Sequence, residues 1–134
     1  MGGPVARETA ACAFLPLGPL APGHTLVVPT SPVADVFTTP GTVPAETVAL
    51  VGRVARAMRS GPGATGVNVL NASGPGSDQS MHHLHFHVVP RWVDDGISTW
   101  PTGRSQHRFT GDPAGRPAEA MAVKATAVEQ GRTG

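Results

Sequence analysis

The 134-residue chain carries ten Lys and Arg against nine Asp and Glu, and its only cysteine is Cys12. That length suits one domain with one core. The near-neutral charge, with no basic cluster or stripe, excludes a long nucleic-acid track, and a lone cysteine excludes both an internal disulfide and a CxxC zinc knuckle. No apolar run approaches the ~18 residues of a membrane span and MGGPVARETA lacks a signal-peptide core, so the expectation is a cytoplasmic protein with no nucleic-acid polymer and no membrane as partner.

Gly and Pro, 17 and 14 in number, punctuate the chain into short elements. Residues 11–15 (ACAFL) and 24–29 (HTLVVP) read as two strands around the turn LGPLAPG. From Thr42 to Arg59 the period changes. Val48, Val51, Ala55 and Met58 recur at helical spacing, Pro44 and Glu46 suit the first turn, the late arginines suit the C-terminal dipole, and Gly61 offers a left-handed stop. Residues 66–71 return to strand character, the loop NASGPGSDQS follows, and a strand is predicted from His82 to Pro90. Beyond it, 96–134 is partly irregular, with a short Ala-rich helix at about 117–130. The expectation is a single α+β domain: an antiparallel sheet of about five strands, one main packed helix, core residues 11–95 and a C-terminal appendage.

The chemistry gathers in MHHLHFHVVPRW. On a strand, His83, His85, His87 and Val89 share one face while Leu84, Phe86 and Val88 share the other. Same-face neighbours rise roughly 6.6 Å, so His83 and His87 would stand roughly 13 Å apart at the backbone. Two of the three can converge on zinc with a ligand from elsewhere such as His24, whereas all three on one straight strand converge with difficulty. The other reading is a row along which a substrate lies. One neutral imidazole then attacks phosphorus and its neighbours orient it or hold charge. The preceding loop supplies small residues, hydroxyls and amides that can cradle a phosphate without lysines, which favours the second reading.

His83-Leu84-His85-Phe86-His87-Val88-Val89 resembles the signature of the histidine triad (HIT) family, and the likeness extends through Gln79-Ser80, Asn71 and Pro22-Gly23-His24-Thr25-Leu26-Val27-Val28-Pro29. The tail of the motif is closer to the Fhit-like and bacterial branches than to Hint. The resemblance implies a HIT-like fold and a nucleotide hydrolase or nucleotidyltransferase. It would act at the α-phosphorus of a nucleoside 5′-monophosphate derivative (a phosphoramidate, dinucleoside polyphosphate or nucleotidyl conjugate) through a covalent nucleotidyl-histidine. By motif position His85 is the implied nucleophile, His87 lies beside the phosphate with its carbonyl orienting His85, and His83 and His24 flank them. Gln79 and Ser80 would contact phosphate and leaving-group oxygens, Asn71 would line the phosphate pocket, and Phe14 and Leu17 the base pocket. The implied chemistry requires no metal or other cofactor, and the implied partners are the nucleotide substrate and a second copy of the chain in a homodimer.

Two departures stand out. Pro16 occupies the position where the family places a ribose-binding Asp, and a proline ring cannot accept ribose hydroxyl protons. The stretch before the first predicted strand is also short, so the tail around Trp100 and Pro101 either covers the base pocket or leaves it open. These departures motivate an alternative, a regulatory protein that binds nucleotides with little turnover; a zinc-binding protein is the third reading. Outside the motif, His82 and His107 read as surface residues, Arg91 as a surface arginine, Asp94 and Asp95 as turn formers, and Cys12 as a buried strand residue.

Overall fold

A computed structural model describes residues 3–122. The described chain divides into two compact units, one ending at Thr99 and one beginning at Trp100, so the boundary falls four residues beyond the predicted core. The first unit holds strands β1 (Pro4–Arg7), β2 (Ala11–Phe14), β3 (Thr25–Pro29), β4 (Gly66–Leu70) and β5 (Phe86–Arg91), with helix α1 (Thr42–Ser60) between β3 and β4. The sheet is wholly antiparallel in the order β1-β2-β3-β5-β4. The predicted α+β class and strand number hold, but β1 lies ahead of the first predicted strand, in a stretch for which no element was predicted. Pro4 begins it, which suits an edge strand, and the register slips between Pro4 and Ala6. Leu15 N–H donating to Gly3 O (3.0 Å) prolongs the pairing with β2.

Helix α1 lies on one face of the sheet. Leu50, Val51, Val54 and Met58 meet Ala11, Ala13, Val27 and Val88 in the core. Burying a side chain of this size contributes about 1.5–3 kcal/mol, so this face dominates the unit's stability. The buried stripe runs Thr47, Leu50, Val51, Val54, Met58: the predicted Val51 and Met58 belong to it, whereas Thr47 and Val54, each one residue earlier, replace the predicted Val48 and Ala55; Val48 is half exposed. Thr47 fits the core because its hydroxyl donates to Val43 O (2.8 Å). Gly61 does not supply the left-handed stop: its φ is −87°, its N–H donates to Ala57 O (2.9 Å), and positive φ comes two residues later at Gly63.

The largest departure concerns the histidine strand. It begins at Phe86, four residues later than predicted, and residues 83–85 are irregular. Competing bonds explain the truncation. Pro29 brings no N–H to extend the β3 ladder and its carbonyl lies 2.9 Å from His83 Nε2, while Leu84 N–H donates to Val33 O (2.7 Å). The predicted alternation therefore holds only from Phe86 onward, and the 13 Å spread no longer describes His83 and His87.

In the second unit, residues 115–122 are helical and begin earlier than predicted; the remainder of the predicted 117–130 helix lies outside the described residues. Asp112 Oδ1 accepts Ala114 N–H (3.0 Å) just ahead of this helix, and the Arg116 guanidinium stands 5.3 Å above the Phe109 ring. No helix among the described residues is long and apolar enough to cross a membrane.

Candidate active site

The sheet face opposite α1 carries the site. Register places Phe14 beside Leu26, Leu26 beside His87, and His87 beside Leu70, giving one cross-strand row with an imidazole in the middle. The turn before β3 brings His24 to this row. Gly23 adopts φ +87°, a conformation a side chain would disfavour, and the Thr25 hydroxyl donates back to Gly23 O (2.8 Å). His24 and His85 are each only 2% exposed.

Hydrogen-bond partners fix the imidazole tautomers. Leu20 N–H donates to His24 Nδ1 (3.0 Å), so that nitrogen carries no proton and the neutral ring keeps its proton on Nε2. Nε2–H of His24 then donates to His87 Nδ1 (2.9 Å), which places the proton of His87 on its own Nε2. His85 is set the opposite way. Its Nδ1 lies 2.8 Å from the carbonyl of His83, which only accepts, so Nδ1 bears the proton and Nε2 presents a lone pair. The orienting carbonyl is thus that of His83, two residues before the ring, and not that of His87 as the resemblance implied. His85 and His87 meet edge to face, with centroids 5.1 Å apart.

Burial, with added repulsion from His85 and His24, lowers the His87 pKa to about 4; burial also lowers that of His24. Both rings are therefore neutral at pH 7, as the tautomer chain requires. A histidine with a folded pKa below its unfolded 6.5 contributes stability that is fully present above pH 6.5 and is lost as pH falls toward 4, because the unfolded chain takes up the proton first. Half-burial screens the effect, leaving roughly 2 kcal/mol. Denaturant titrations at pH 7 and pH 4.5 are expected to show a larger acid loss in the wild type than in His87→Gln; equal losses would contradict this.

The loop between β4 and the histidines is knit into the site. Asn71 Nδ2 donates to His85 O (2.9 Å), Ser73 Oγ donates to Asn71 Oδ1 (2.9 Å), and Val36 N–H donates to Ser73 Oγ (3.1 Å). Gly74, Gly76 and Asp78 all take positive φ, and Phe37 stands so close to Gly74 that an added Cβ would meet its ring at 3.1 Å. The Gln79 amide is engaged on both sides: Oε1 accepts Gly74 N–H, and Nε2 donates to Ala34 O and to Met81 O, each at 2.8 Å.

The structure therefore brings His24, His85 and His87 together, with Asn71 tied to the backbone of His85 and Phe14 in the row of His87. His83 contributes its carbonyl to His85 while its own ring turns to Pro29 O. Ser80 is exposed, and Leu17 is 81% exposed in the loop after β2. Cys12 is half-buried on the strand beside this face. Arg91 is engaged away from the histidines: it grips Asp95 through two nitrogens (2.8 and 2.9 Å) and donates to Asn68 Oδ1 (2.7 Å) and Ile97 O. That bidentate grip holds the Asp95 carboxyl well below the usual carboxylate range. Sequence reading missed the 33–37 segment, whose carbonyls hold Leu84 and Gln79. Its one visible signal is Asp35, whose Oδ1 accepts the Phe37 and Thr38 amides.

Comparison with known proteins places the chain in a family. The HIT domain family matches residues 5–93. Among curated relatives, Protein hit of Bacillus subtilis is 32% identical over 72% of this chain and 68% of its own length. An AP-4-A phosphorylase of Mycobacterium tuberculosis is 36% identical over 68% of this chain but only 47% of its own length. The chain spans 60 to 63% of the length of further relatives from Borreliella burgdorferi and Saccharolobus solfataricus. A solved structure of a zinc-bound histidine triad family protein from Mycobacterium smegmatis superposes with a TM-score of 0.69 at 34% identity, covering 72% of this chain and 70% of that one. On the family match and these relatives, the chain belongs to the HIT family.

Proposed function

We propose that the protein is a nucleotide hydrolase or nucleotidyltransferase that attacks the α-phosphorus of a nucleoside 5′-monophosphate derivative through His85. The observation that carries this reading is the His85 ring, with Nδ1–H spent on a carbonyl and Nε2 free as a lone pair beside His87. The relative named AP-4-A phosphorylase supports a nucleotide as substrate class. In the first displacement the Nε2 lone pair forms a bond to phosphorus and the bond from phosphorus to the leaving group breaks. A polyphosphate departs as the anion, and an amine departs with a proton supplied by water. In the second, water attacks phosphorus, the N–P bond breaks, neutral His85 returns and the water gives up a proton to solvent. His87 Nε2–H donates to a phosphoryl oxygen as charge builds there, and Ser80 and Asn71 line the phosphate pocket. His24 holds the His87 tautomer, His83 aims His85 through its carbonyl, and Phe14 and Leu17 flank the base.

Incubation with an adenosine phosphoramidate and a dinucleoside polyphosphate tests the reading, with release of nucleoside monophosphate as the expected result; turnover of neither would sink it. The second reading, nucleotide binding without turnover, is favoured by Pro16, whose side chain offers the ribose no polar group, and tight binding with no covalent intermediate would select it. A zinc site is less well supported. Although the M. smegmatis relative is described as zinc-bound, no group of three or more His, Cys, Asp or Glu side chains among the described residues could hold a metal ion.

A homodimer joined through β4 completes the proposal. Both β1 and β4 are sheet edges, but β1 is four residues long with Pro4 and Arg7 at its ends, devices that blunt pairing. Strand β4 (GVNVL) has neither proline nor charge, and Val69 is 46% exposed. Light scattering is expected to give twice the monomer mass; a monomer mass would contradict the joined sheet.

A further inference from the structure

Three separated stretches of irregular backbone meet around His85, namely 33–37, 71–77 and 81–85. Pairs of them are joined by single bonds: Leu84 N–H to Val33 O (2.7 Å), Val36 N–H to Ser73 Oγ (3.1 Å) and Asn71 Nδ2 to His85 O (2.9 Å). Gln79 bonds to all three at once, through Ala34 O, Gly74 N–H and Met81 O. Building on the reading of His85 as nucleophile, we propose that Gln79 is a positioning residue, a clasp that shapes the substrate-receiving loop and sets the backbone leading to His85, and does not itself touch the phosphate or the leaving group.

The amide's own inventory carries the argument. A primary amide has two N–H donors, and both are committed to carbonyls, so none is left for a phosphate oxygen unless one of those carbonyls is abandoned. Its oxygen holds the amide of Gly74, the residue at φ +86° whose Cα approaches the Phe37 ring. That contact pins the start of the glycine-rich turn against the 33–37 segment. On the other side, Met81 O lies two residues before His83, whose carbonyl aims the His85 ring. Displacing Met81 would thus shift the carbonyl that fixes the nucleophile's tautomer. A residue acting this way affects every substrate alike, because it acts before any leaving group is distinguished.

Two variants separate positioning from contact. Gln79→Met keeps the length and removes every bond. Gln79→Glu keeps shape and the acceptor for Gly74 N–H while bringing a negative charge to two carbonyls, so it guards against a loss caused by misfolding alone. Hydrogen exchange at the Leu84 amide is expected to speed up roughly tenfold in both, and at the Gly74 amide in Gln79→Met. kcat/KM is expected to fall by one common factor on a phosphoramidate and on a dinucleoside polyphosphate. Unchanged exchange in both variants, or a loss confined to one leaving group, would overturn the proposal. Exchange is read without turnover, so it decides the clasp even if neither substrate is cleaved.

Discussion

His85→Ala is expected to lower kcat on either substrate by on the order of 10⁴-fold or more, with little change in the affinity for nucleotide monophosphate. The expectation follows from the bond inventory of one ring. Only the lone pair on Nε2 can form the bond to phosphorus, and no neighbouring imidazole can replace it: His24 and His87 face each other through Nε2 and Nδ1, and His83 faces Pro29 O. Overall stability is the natural control, because loss of a buried ring also leaves a cavity, which costs about 2–5 kcal/mol for comparably large apolar side chains. His85→Asn and His85→Gln, which refill part of that space, are expected to be equally inactive. Residual turnover within tenfold of wild type in any of these would mean that His85 is not the nucleophile.

The second large effect belongs to His87. Its alanine variant is expected to lose about 10²- to 10³-fold in kcat, the usual cost of removing one donor from a developing oxyanion. His87→Gln, whose amide N–H can replace Nε2–H, is expected to recover part of that loss. His24→Ala acts one step further away and is expected to cost about tenfold, because His87 would then be free to adopt the wrong tautomer. Nitrogen chemical shifts of the wild-type imidazoles read the arrangement directly: protonation at Nε2 is expected for His24 and His87, and at Nδ1 for His85. The reverse assignment for His85 would contradict the geometry on which its proposed role as nucleophile rests.

Much of this was legible in the sequence because it was local. Strands β2, β3 and β4 and helix α1 announce themselves by short apolar runs and a change of period, and His24 and His85 fall within motifs that carry their own spacing. What could not be read depends on partners distant in the chain. The strand begins only at Phe86 because Pro29 and Val33, more than fifty residues earlier, take the bonds that would have extended it toward His82. Gln79 looks like a free amide in NASGPGSDQS, yet its carbonyl partner at Ala34 lies 45 residues away. The helix's buried stripe was read only in part, at Val51 and Met58, because Thr47, polar by composition, satisfies its own hydroxyl and enters the core in place of Val48. Strand β1 was missed because PVAR is exposed and shows no alternation to read.

The central claim is covalent chemistry at one nitrogen, and the most direct measurement is mass spectrometry of the protein quenched during turnover of an adenosine phosphoramidate. The account predicts a mass increase of one nucleotidyl group, labile to acid, on the peptide that contains His85, and its absence from His85→Ala. Turnover with no such adduct, or an adduct mapped to His24, His83 or His87, would contradict it.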